Sequence, residues 1–496
     1  MRRKKTACIA LTAWVTALVL ATSAQAARYV IVYQRQAVPA DAAERIERAG
    51  GRLLAEYNAI GVAVADSDSD LFRRHLLRDS RVAGAASTEL SGLEGAAGVA
   101  AEGPPGGELP NAPATDADTF SGLQWNMEQI HAKEAHAITG GSPAVTVAVI
   151  DTGIDRLHPD LAVNVDPRSV SCVNGFPDPN PAAWNDDSGH GTHVAGIIAA
   201  ASNGIGVVGV APNVKIAAIK ASVRVGQRDI FRPEAVVCAL MWAGQNHLDV
   251  ANNSYTVDQD LVTDPLDFFC RNEADDKVVI KAVQRATRYA RTQGVTLVAS
   301  AGNSGLDLAH PPLGNECLRL PSELPGVVTV SSVGRFEQKA AVPPSNFGVG
   351  VIDVTAPGGD ATQPAPPPAG LVLSTYPSDP VLWAMTVLCD PIQGPPCPRS
   401  PLAEPGTAYY RYMAGTSMAA AHVSGVAALI VSRFGDAHTP QNGKLRPGQV
   451  EAMIQQTADP LPCPPDPTCQ GEEGYNGWYG HGRVNALRAI LHQAGG

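Results

Sequence analysis

The sequence predicts an α/β protein: a doubly wound, mostly parallel β-sheet preceded by a small α+β domain. From residue 118 onward, short and continuously apolar segments alternate with helical segments, which is typical of parallel strands buried on both faces. Separate strand and helix patterns lie nearer the N-terminus, and a stretch with almost no large apolar side chains divides the two regions. We therefore divide the 496-residue chain into residues 1–26, 28–88, 91–117 and 118–496.

Residues 1–26 have the pattern of a secretory signal peptide. Four cationic residues at positions 2–5 precede an apolar run over residues 7–21, and S-A-Q-A-A at residues 23–27 offers a small-x-small cleavage pattern. An uncleaved membrane anchor is the alternative, but a run of about fifteen residues is short for a span of roughly twenty. We expect a secreted protein, extracellular or periplasmic, with no membrane contact after cleavage.

Residues 28–88 predict the small domain. The predicted elements are strands at residues 29–33 and 61–64 and helices at residues 41–49 and 68–77. Gly50-Gly51 gives the first helix a stop signal. Residues 91–117 consist largely of Gly, Ala, Pro and Glu, a composition that cannot build a core and predicts a linker.

The large domain, residues 118–496, is predicted from apolar strands with helices between them. The strands are expected at residues 145–150, 214–219, 295–300 and 327–333, and helices at residues 233–246 and 275–292. Pro233 stands at a first helical position, where proline is favoured. Residues 360–410 interrupt this pattern with a Pro-rich insertion.

The eight cysteines outside the signal predict disulfides, because an even count in an exported chain favours pairing over metal binding. Two pairs of near neighbours are expected to bond locally, and the other four cysteines would then form two longer links. These pairs are Cys389–Cys397, Cys463–Cys469, Cys270–Cys317 and Cys172–Cys238. The sequence by itself leaves other connectivities open.

Composition excludes two classes of protein. A hydrophobic content of 45% argues against wholesale disorder. A net charge of −11 argues against a nucleic-acid-binding protein, which normally has a basic face.

Three short motifs contain the candidate functional residues. V-I-D-T-G-I-D, residues 149–155, ends a predicted buried strand, and S-G-H-G-T-H-V-A-G, residues 188–196, begins a helix. G-T-S-M-A-A-A-H-V-S-G, residues 415–425, places Ser417 at a helix start.

Each motif has a simpler interpretation when it is taken alone. D-T-G also marks aspartic proteases, but a partner carboxylate at Asp187 would lie only 36 residues away, too few for two lobes. His190 and His193 could bind a metal, but the glutamate of H-E-x-x-H is missing. Ser417 could be an ordinary helix cap.

Together the motifs supply a nucleophilic site. A hydroxyl is a weak nucleophile unless a base accepts its proton, and the base needs a carboxylate that fixes its tautomer. Asp151, His190 and Ser417 provide this set at a strand end and at helix starts, where a doubly wound sheet collects its functional groups.

These motifs, in this order, resemble those of the subtilisin-like serine proteases, the subtilases, and the resemblance extends over residues 120–493. It implies a subtilisin-like fold and a serine endopeptidase that cleaves polypeptides through an acyl-enzyme. The implied catalytic triad is Asp151, His190 and Ser417. The segment L-V-A-S-A-G-N-S-G, residues 297–305, matches the family's oxyanion segment, so Asn303 is expected to donate to the oxyanion.

The resemblance also implies how a peptide substrate binds. An extended peptide is expected to pair with the strand at residues 252–256. The implied substrate-binding residues are Ser254, Tyr255, Thr256, Ser300, Ala301 and Gly302. Arg319 precedes Pro321 in a segment that helps to form the family's first specificity pocket, where a positive charge would favour acidic side chains. From the sequence we prefer the interpretation that Arg319 is solvated.

A structural calcium ion is the one cofactor that the resemblance implies. Asp118, Asp160 and Asn203 match the family's strong calcium site, and carboxylate and amide oxygens suit this ion. Ordinary polar loops are the alternative interpretation.

Residues 28–88 resemble the subtilase propeptide, an intramolecular inhibitor and folding helper. We expect a monomer.

One alternative to an active protease is a catalytically inactive subtilase homologue that acts as a binding protein, although the intact triad and Asn303 argue against it. Another is a sedolisin-type peptidase, which uses a glutamate as base, whereas H-G-T-H favours histidine.

Overall fold

The computed structural model describes residues 26–88, 113–225, 228–258, 267–341, 343–362, 370–378, 402–403, 408–435, 445–472 and 474–493. Most of the predicted signal peptide, most of the predicted linker and the Cys389–Cys397 pair lie outside the described residues. The last residues of the predicted linker lie against the large domain, where the Ala114 N–H donates to the His136 carbonyl at 3.0 Å.

The N-terminal domain is a four-stranded antiparallel sheet with two helices. Its elements are β1 (Ala27–Tyr33), α1 (Ala42–Ala49), β2 (Arg52–Tyr57), β3 (Val62–Ser67), α2 (Phe72–Leu76) and β4 (Val82–Ser87), with the strands in the order β2-β3-β1-β4. Gly50 ends α1 with a φ of 96°, in the left-handed region that glycine tolerates. The sequence did not predict β2 or β4, and β4 consists mostly of small residues of low strand propensity.

The large domain contains the remaining described elements. The strands are β5 (Thr146–Asp151), β6 (Val170–Ser171), β7 (Lys215–Lys220), β8 (Ser222–Val225), β9 (Arg228–Phe231), β10 (Val250–Asn253), β11 (Phe269–Cys270), β12 (Thr296–Ser300), β13 (Cys317–Leu318), β14 (Val327–Val333), β15 (Val354–Pro357), β16 (Val372–Tyr376), β17 (Leu402–Ala403), β18 (Tyr409–Met413), β19 (Gly471–Glu472) and β20 (Tyr475–Asn476). The helices are α3 (Trp125–Gln129), α4 (Ala132–His136), α5 (His190–Ala199), α6 (Pro233–Gln245), α7 (Ala274–Thr292), α8 (Thr416–Phe434), α9 (Pro447–Gln456) and α10 (Ala486–Leu491), and short 3-10 turns lie at Ser121–Leu123 and Ala162–Asn164.

Seven parallel strands form the central sheet, in the order β15-β14-β12-β10-β5-β7-β6. After β5 the chain adds β6 at one edge and then β7 between β5 and β6, and it then adds β10, β12, β14 and β15 in order on the other side. The strand order therefore reverses between β5 and β10, and a doubly wound sheet binds its ligands at the carboxyl ends of the strands there. The predicted fold class is confirmed.

Helices cover both faces of the sheet. Helices α5 and α8 share one apolar core with one face, and α6 and α7 share a second core with the other. Among the described residues, α8 is long and apolar enough to span a membrane, which the sequence did not lead us to expect. Because 89% of its most apolar window is buried, we interpret α8 as the core helix of this domain.

The N-terminal sheet packs on α6 and α7. Val30 and Val64 share an apolar cluster with residues of both helices, such as Val236 and Val278. Arg285 of α7 donates to two backbone carbonyls, that of Tyr33 at the end of β1 at 3.0 Å and that of Ile60 in the turn between β2 and β3 at 2.9 Å. The Tyr57 hydroxyl donates to the Gly175 carbonyl at 2.6 Å, and Arg73 pairs with Asp275. The two domains therefore share both apolar and polar contacts.

Disulfides and the described part of the insertion complete the large domain. The predicted pairs Cys172–Cys238, Cys270–Cys317 and Cys463–Cys469 are confirmed. The predicted insertion contains β16, which pairs antiparallel with β18 and is buried along its whole length. The sequence did not predict this strand, whose contacts with α5 are described below.

Candidate active site

The three motifs meet at the carboxyl edge of the central sheet. Asp151 ends β5 and is fully buried, and His190 is the first residue of α5. Ser417 is the second residue of α8. The Nδ1 atom of His190 lies 2.7 Å from Oδ1 of Asp151. Because an ionised carboxylate only accepts hydrogen bonds, Nδ1 carries the proton and Nε2 is the basic nitrogen.

His190 lies in a negative environment. Burial of the imidazole opposes its protonation, but the Asp151 carboxylate, together with Asp229 and Asp186, outweighs that effect and raises the pKa of His190 to about 9. Its side chain remains 22% exposed, so the ring is accessible from the cleft.

Asp186 connects the loops that carry Asp151 and His190, and sequence reasoning missed it. Its Oδ1 accepts the Thr152 hydroxyl at 2.8 Å and the backbone N–H groups of Ser188 and Gly189 at 3.0 and 2.9 Å. Its Oδ2 accepts the N–H and the hydroxyl of Thr192 at 2.9 and 2.6 Å. Asp186 is 1% exposed, and although these five bonds offset part of its lost hydration, burial still raises the pKa of this carboxyl.

The insertion supports the same loop. In β16, the Thr375 hydroxyl donates to the Thr192 carbonyl and the Ser374 hydroxyl donates to the His193 carbonyl, both at 2.7 Å. The Tyr376 hydroxyl donates to the carbonyl of Ser188 at 3.2 Å. The start of α5 is therefore held from the insertion as well as by Asp186.

Ser417 exchanges hydrogen bonds with the segment that follows β10. Its hydroxyl donates to the Ser254 carbonyl at 3.2 Å, and the Ser254 hydroxyl donates to the Ser417 carbonyl at 3.0 Å. Ser254, Tyr255 and Thr256 line a cleft of about 290 Å³ together with His190. The Tyr255 ring is buried and stacks on Phe231 with the ring centroids 4.3 Å apart.

Asn303 lies beside the start of α8. Its Oδ1 accepts the Thr416 N–H at 2.9 Å and the Thr416 hydroxyl at 3.0 Å, so the amide group is fixed. The Nδ2 group of this exposed residue is a donor, and it points away from Thr416. The N–H of Ser417 belongs to the first turn of α8, where backbone donors have no partner within the helix. The Asn303 amide group and the Ser417 N–H are therefore two donors at the start of the helix that bears Ser417.

The segment of Ser300, Ala301 and Gly302 is brought to the same place, but its backbone is largely occupied. The Ala301 N–H donates to Val330 at 2.9 Å, and its carbonyl accepts the Asn346 amide at 2.8 Å. The Gly302 N–H donates to the Thr416 hydroxyl at 3.1 Å. None of these three residues is among the described residues that line the cleft, but Gly302 lies next to the guanidinium of Arg319, which does line it.

Arg319 is buried, so the sequence-based interpretation of a solvated arginine is wrong. Its side chain lines the cleft with His190 and Thr256, and the residue is 6% exposed.

The three predicted calcium ligands also come together. Asp118 accepts the N–H groups of Asn203 and Gly204 at 3.1 and 2.9 Å. Asp160 accepts the Val207 N–H from the same loop at 3.1 Å through Oδ2, while its buried Oδ1 has no hydrogen-bond partner among the described residues. Within that part of the chain, no group of three or more His, Cys, Asp and Glu residues could hold a metal. The trio contains two carboxylates and one amide oxygen.

Comparison with known proteins agrees with the resemblance that the sequence motifs showed. A model of the subtilase family matches residues 142–482. The chain is 31% identical over 346 residues to subtilisin DY of Bacillus licheniformis, covering 70% of this chain and 90% of that protein. It is 29% identical over 384 residues to the thermophilic serine proteinase of Bacillus sp. (strain AK1), covering 77% and 71%. The epidermin leader peptide processing serine protease of Staphylococcus aureus has the same fold, with a TM-score of 0.64 at 21% identity over 95% of this chain and 99% of that chain.

Proposed function

The chain belongs to the subtilase family and is a serine-type endopeptidase, and we propose that Asp151, His190 and Ser417 form its catalytic triad. The observation that carries this proposal is the 2.7 Å contact between Asp151 and His190, beside the helix start that bears Ser417. A buried carboxylate that fixes the histidine tautomer is what a serine nucleophile needs from its base.

In the proposed reaction, Ser417 Oγ attacks the scissile carbonyl carbon while its proton passes to His190 Nε2. In the free protein this hydroxyl donates to Ser254, so it must first turn toward His190. His190 then protonates the leaving amine, the C–N bond breaks, and an acyl-enzyme remains on Ser417. A water molecule gives a proton to His190 and attacks the acyl carbon, and Ser417 regains its proton as the carboxylic acid product leaves.

Asn303 and the Ser417 N–H are the proposed donors to the oxyanion. The carbonyl oxygen gains negative charge as Ser417 attacks, and donors that are already oriented stabilise this charge without reorganising. The two hydrogen bonds from Thr416 hold the Asn303 amide in one orientation, which supports this role.

The N-terminal domain is proposed to be an intramolecular inhibitor. It covers α6 and α7, and Thr88, which follows β4, faces the buried Glu234 at the start of α6. The hairpin that precedes α6 ends at Phe231, which lines the cleft. The chain therefore leaves the N-terminal domain close to the substrate site, which supports inhibition followed by self-cleavage.

A structural calcium ion is proposed at Asp118, Asp160 and Asn203. The buried Asp160 oxygen without a partner and the oxygen-only donor set fit this ion. When bound, calcium would neutralise the two carboxylates and link three loops.

Secretion is also proposed, from the signal pattern of residues 1–26, and the disulfides agree with an oxidising compartment.

Changing Ser417→Ala tests the function. We expect the hydrolysis of an unfolded protein to fall by about 10⁶-fold, the size of this effect in subtilisin. The matched control is Ser432→Ala, fifteen residues further along the same helix, whose hydroxyl donates to the Ala428 carbonyl at 2.7 Å and accepts the Ser142 N–H at 3.0 Å, away from the site. Its loss should cost about 1–3 kcal/mol of stability. Mass spectrometry should find the N-terminal domain still attached in Ser417→Ala and removed in the control.

Two outcomes would contradict the proposal. Hydrolysis by Ser417→Ala near the wild-type rate would remove Ser417 as the nucleophile. A folded wild-type protein that cleaves no peptide or unfolded protein would favour the inactive, binding homologue instead.

A further inference from the structure

The guanidinium of Arg319 lies between the two segments that border the proposed nucleophile. Its Nη2 donates to the Thr256 hydroxyl at 3.0 Å. Its Cζ atom lies 3.6 Å from the point where a Cβ atom on Gly302 would be. The same group lies over the Phe268 ring, 5.6 Å from the centroid. Arg319 therefore closes the space between the Ser254–Thr256 segment and the Ser300–Gly302 segment.

These contacts determine which substrate residue would meet Arg319. Ser254 exchanges two hydrogen bonds with Ser417, and Gly302 directly precedes Asn303, which is fixed by Thr416. A carbonyl held between Ser417 and Asn303 belongs to the residue before the scissile bond. The side chain of that residue would then point between Thr256 and Gly302, where Arg319 lies.

We propose that Arg319 makes this peptidase cleave after acidic residues. The inference rests on the proposed function, because it assumes that Ser417 is the nucleophile. A guanidinium is always charged in proteins and presents a planar set of donors that matches a carboxylate. Hydrogen bonds between a guanidinium and a carboxylate are among the strongest in proteins, and burial reduces their screening by salt.

Carboxylates of the protein share this cleft and must be considered. Asp229 accepts the Ser188 hydroxyl and pairs with Arg224, and Asp258 accepts the Phe231 N–H at 2.6 Å, so both are engaged with the hairpin of β8 and β9. Asp258 and Asp267 also lie near the Arg319 end of the cleft. Burial raises the pKa of Asp258 to about 7. Asp258 can therefore take up a proton when a substrate carboxylate binds, which removes the repulsion between the two carboxylates.

The test is a panel of peptides that differ only in the residue before the scissile bond, with Glu, Asp, Gln, Ala, Leu and Lys at that position. Glu and Gln have the same shape and differ in charge. We expect kcat/KM for the Glu peptide to exceed that for the Gln peptide by about 10- to 100-fold. Arg319→Gln should bring this ratio close to 1, and Arg319→Lys should keep part of it.

Arg228→Gln is the matched control, because Arg228 lines the same cleft but is exposed. In Arg228→Gln the ratio of kcat/KM for the Glu peptide to that for the Gln peptide should equal the wild-type ratio. If this ratio fell equally in both variants, Arg319 would not be the residue that selects acidic side chains. If Arg319→Gln does not fold, the ratio measured for the wild-type protein still tests the proposal. Equal or faster cleavage of the Gln or Leu peptide would overturn the proposal. Failure to cleave any peptide, or an unfolded protein, would instead refute the proposed function.

Discussion

Replacing Asp186 by asparagine should weaken both the fold and the catalysis, because one carboxylate holds the loops of Asp151 and His190 together. Asparagine has the same shape and keeps an acceptor at the Oδ1 position. There it can still accept the Thr152 hydroxyl and the N–H groups of Ser188 and Gly189. Its amide nitrogen, however, would face two donors of Thr192, the backbone N–H and the hydroxyl.

The expected magnitude follows from these contacts. A buried donor without a partner costs about 1–3 kcal/mol. The Thr192 hydroxyl can rotate toward another acceptor, but its N–H cannot, so we expect a loss of about 1–3 kcal/mol in the free energy of unfolding. For the large domain this is a fall in Tm of roughly 1–4 °C. A displacement of His190 by about 1 Å can lower kcat by about 100-fold.

The assay compares Asp186→Asn with Asp187→Asn, which changes the neighbouring carboxylate. Asp187 is half exposed and pairs with the buried Lys220, which also donates to the Asn185 carbonyl at 3.1 Å. Because asparagine keeps an acceptor oxygen for Lys220, we expect a smaller loss of stability for Asp187→Asn than for Asp186→Asn. Tm, kcat and KM are measured on purified, processed protein after titration of the active sites. We expect kcat to fall and KM to stay nearly constant for Asp186→Asn. A wild-type Tm and kcat in this variant would refute the role of Asp186.

The other predictions concern the oxyanion, the base and the metal. Asn303→Ala should lower kcat by about 10²–10³-fold; if KM absorbed the whole loss, Asn303 would bind the ground state instead. Because the pKa of His190 is raised to about 9 and only the neutral ring accepts a proton, kcat/KM should increase from pH 7 to about pH 9, and a plateau already at pH 7 would contradict this electrostatic environment. The raised pKa also means that the stabilisation from the charged His190 is complete below about pH 6.5 and is lost as the pH rises through about 9. Excess EGTA should lower the Tm of calcium-loaded protein, because removing an ion that was present at 1,000 times its Kd takes away about 4 kcal/mol of stability. An unchanged Tm would remove Asp118, Asp160 and Asn203 as calcium ligands.

Local sequence patterns were sufficient for most of the central sheet. Strand β14 coincides with the prediction, and β5, β7 and β12 each begin one residue after the predicted start. A continuous apolar run indicates a strand that is buried on both faces, and this can be recognised without knowing which strands are its partners. The motifs around Asp151, His190 and Ser417 likewise lie at element ends that turn and helix signals mark in the sequence.

The tertiary structure decided the contacts between residues that are distant in the chain. The small residues of β4 do not predict a strand, and β16 is a short run of strand-forming residues within a Pro-rich stretch. Both are buried by helices that are distant in the chain, β4 by α7 and β16 by α5. Arg319 has the sequence signature of a surface residue, but Thr256 and Phe268 enclose its side chain. Four of the five hydrogen bonds of Asp186 come from residues within six positions of it, but the bond from Thr152 forms only after β5 and α5 have packed side by side. The sequence therefore determines which chemical groups are present and where elements begin and end, whereas burial and partner choice depend on packing across the whole domain.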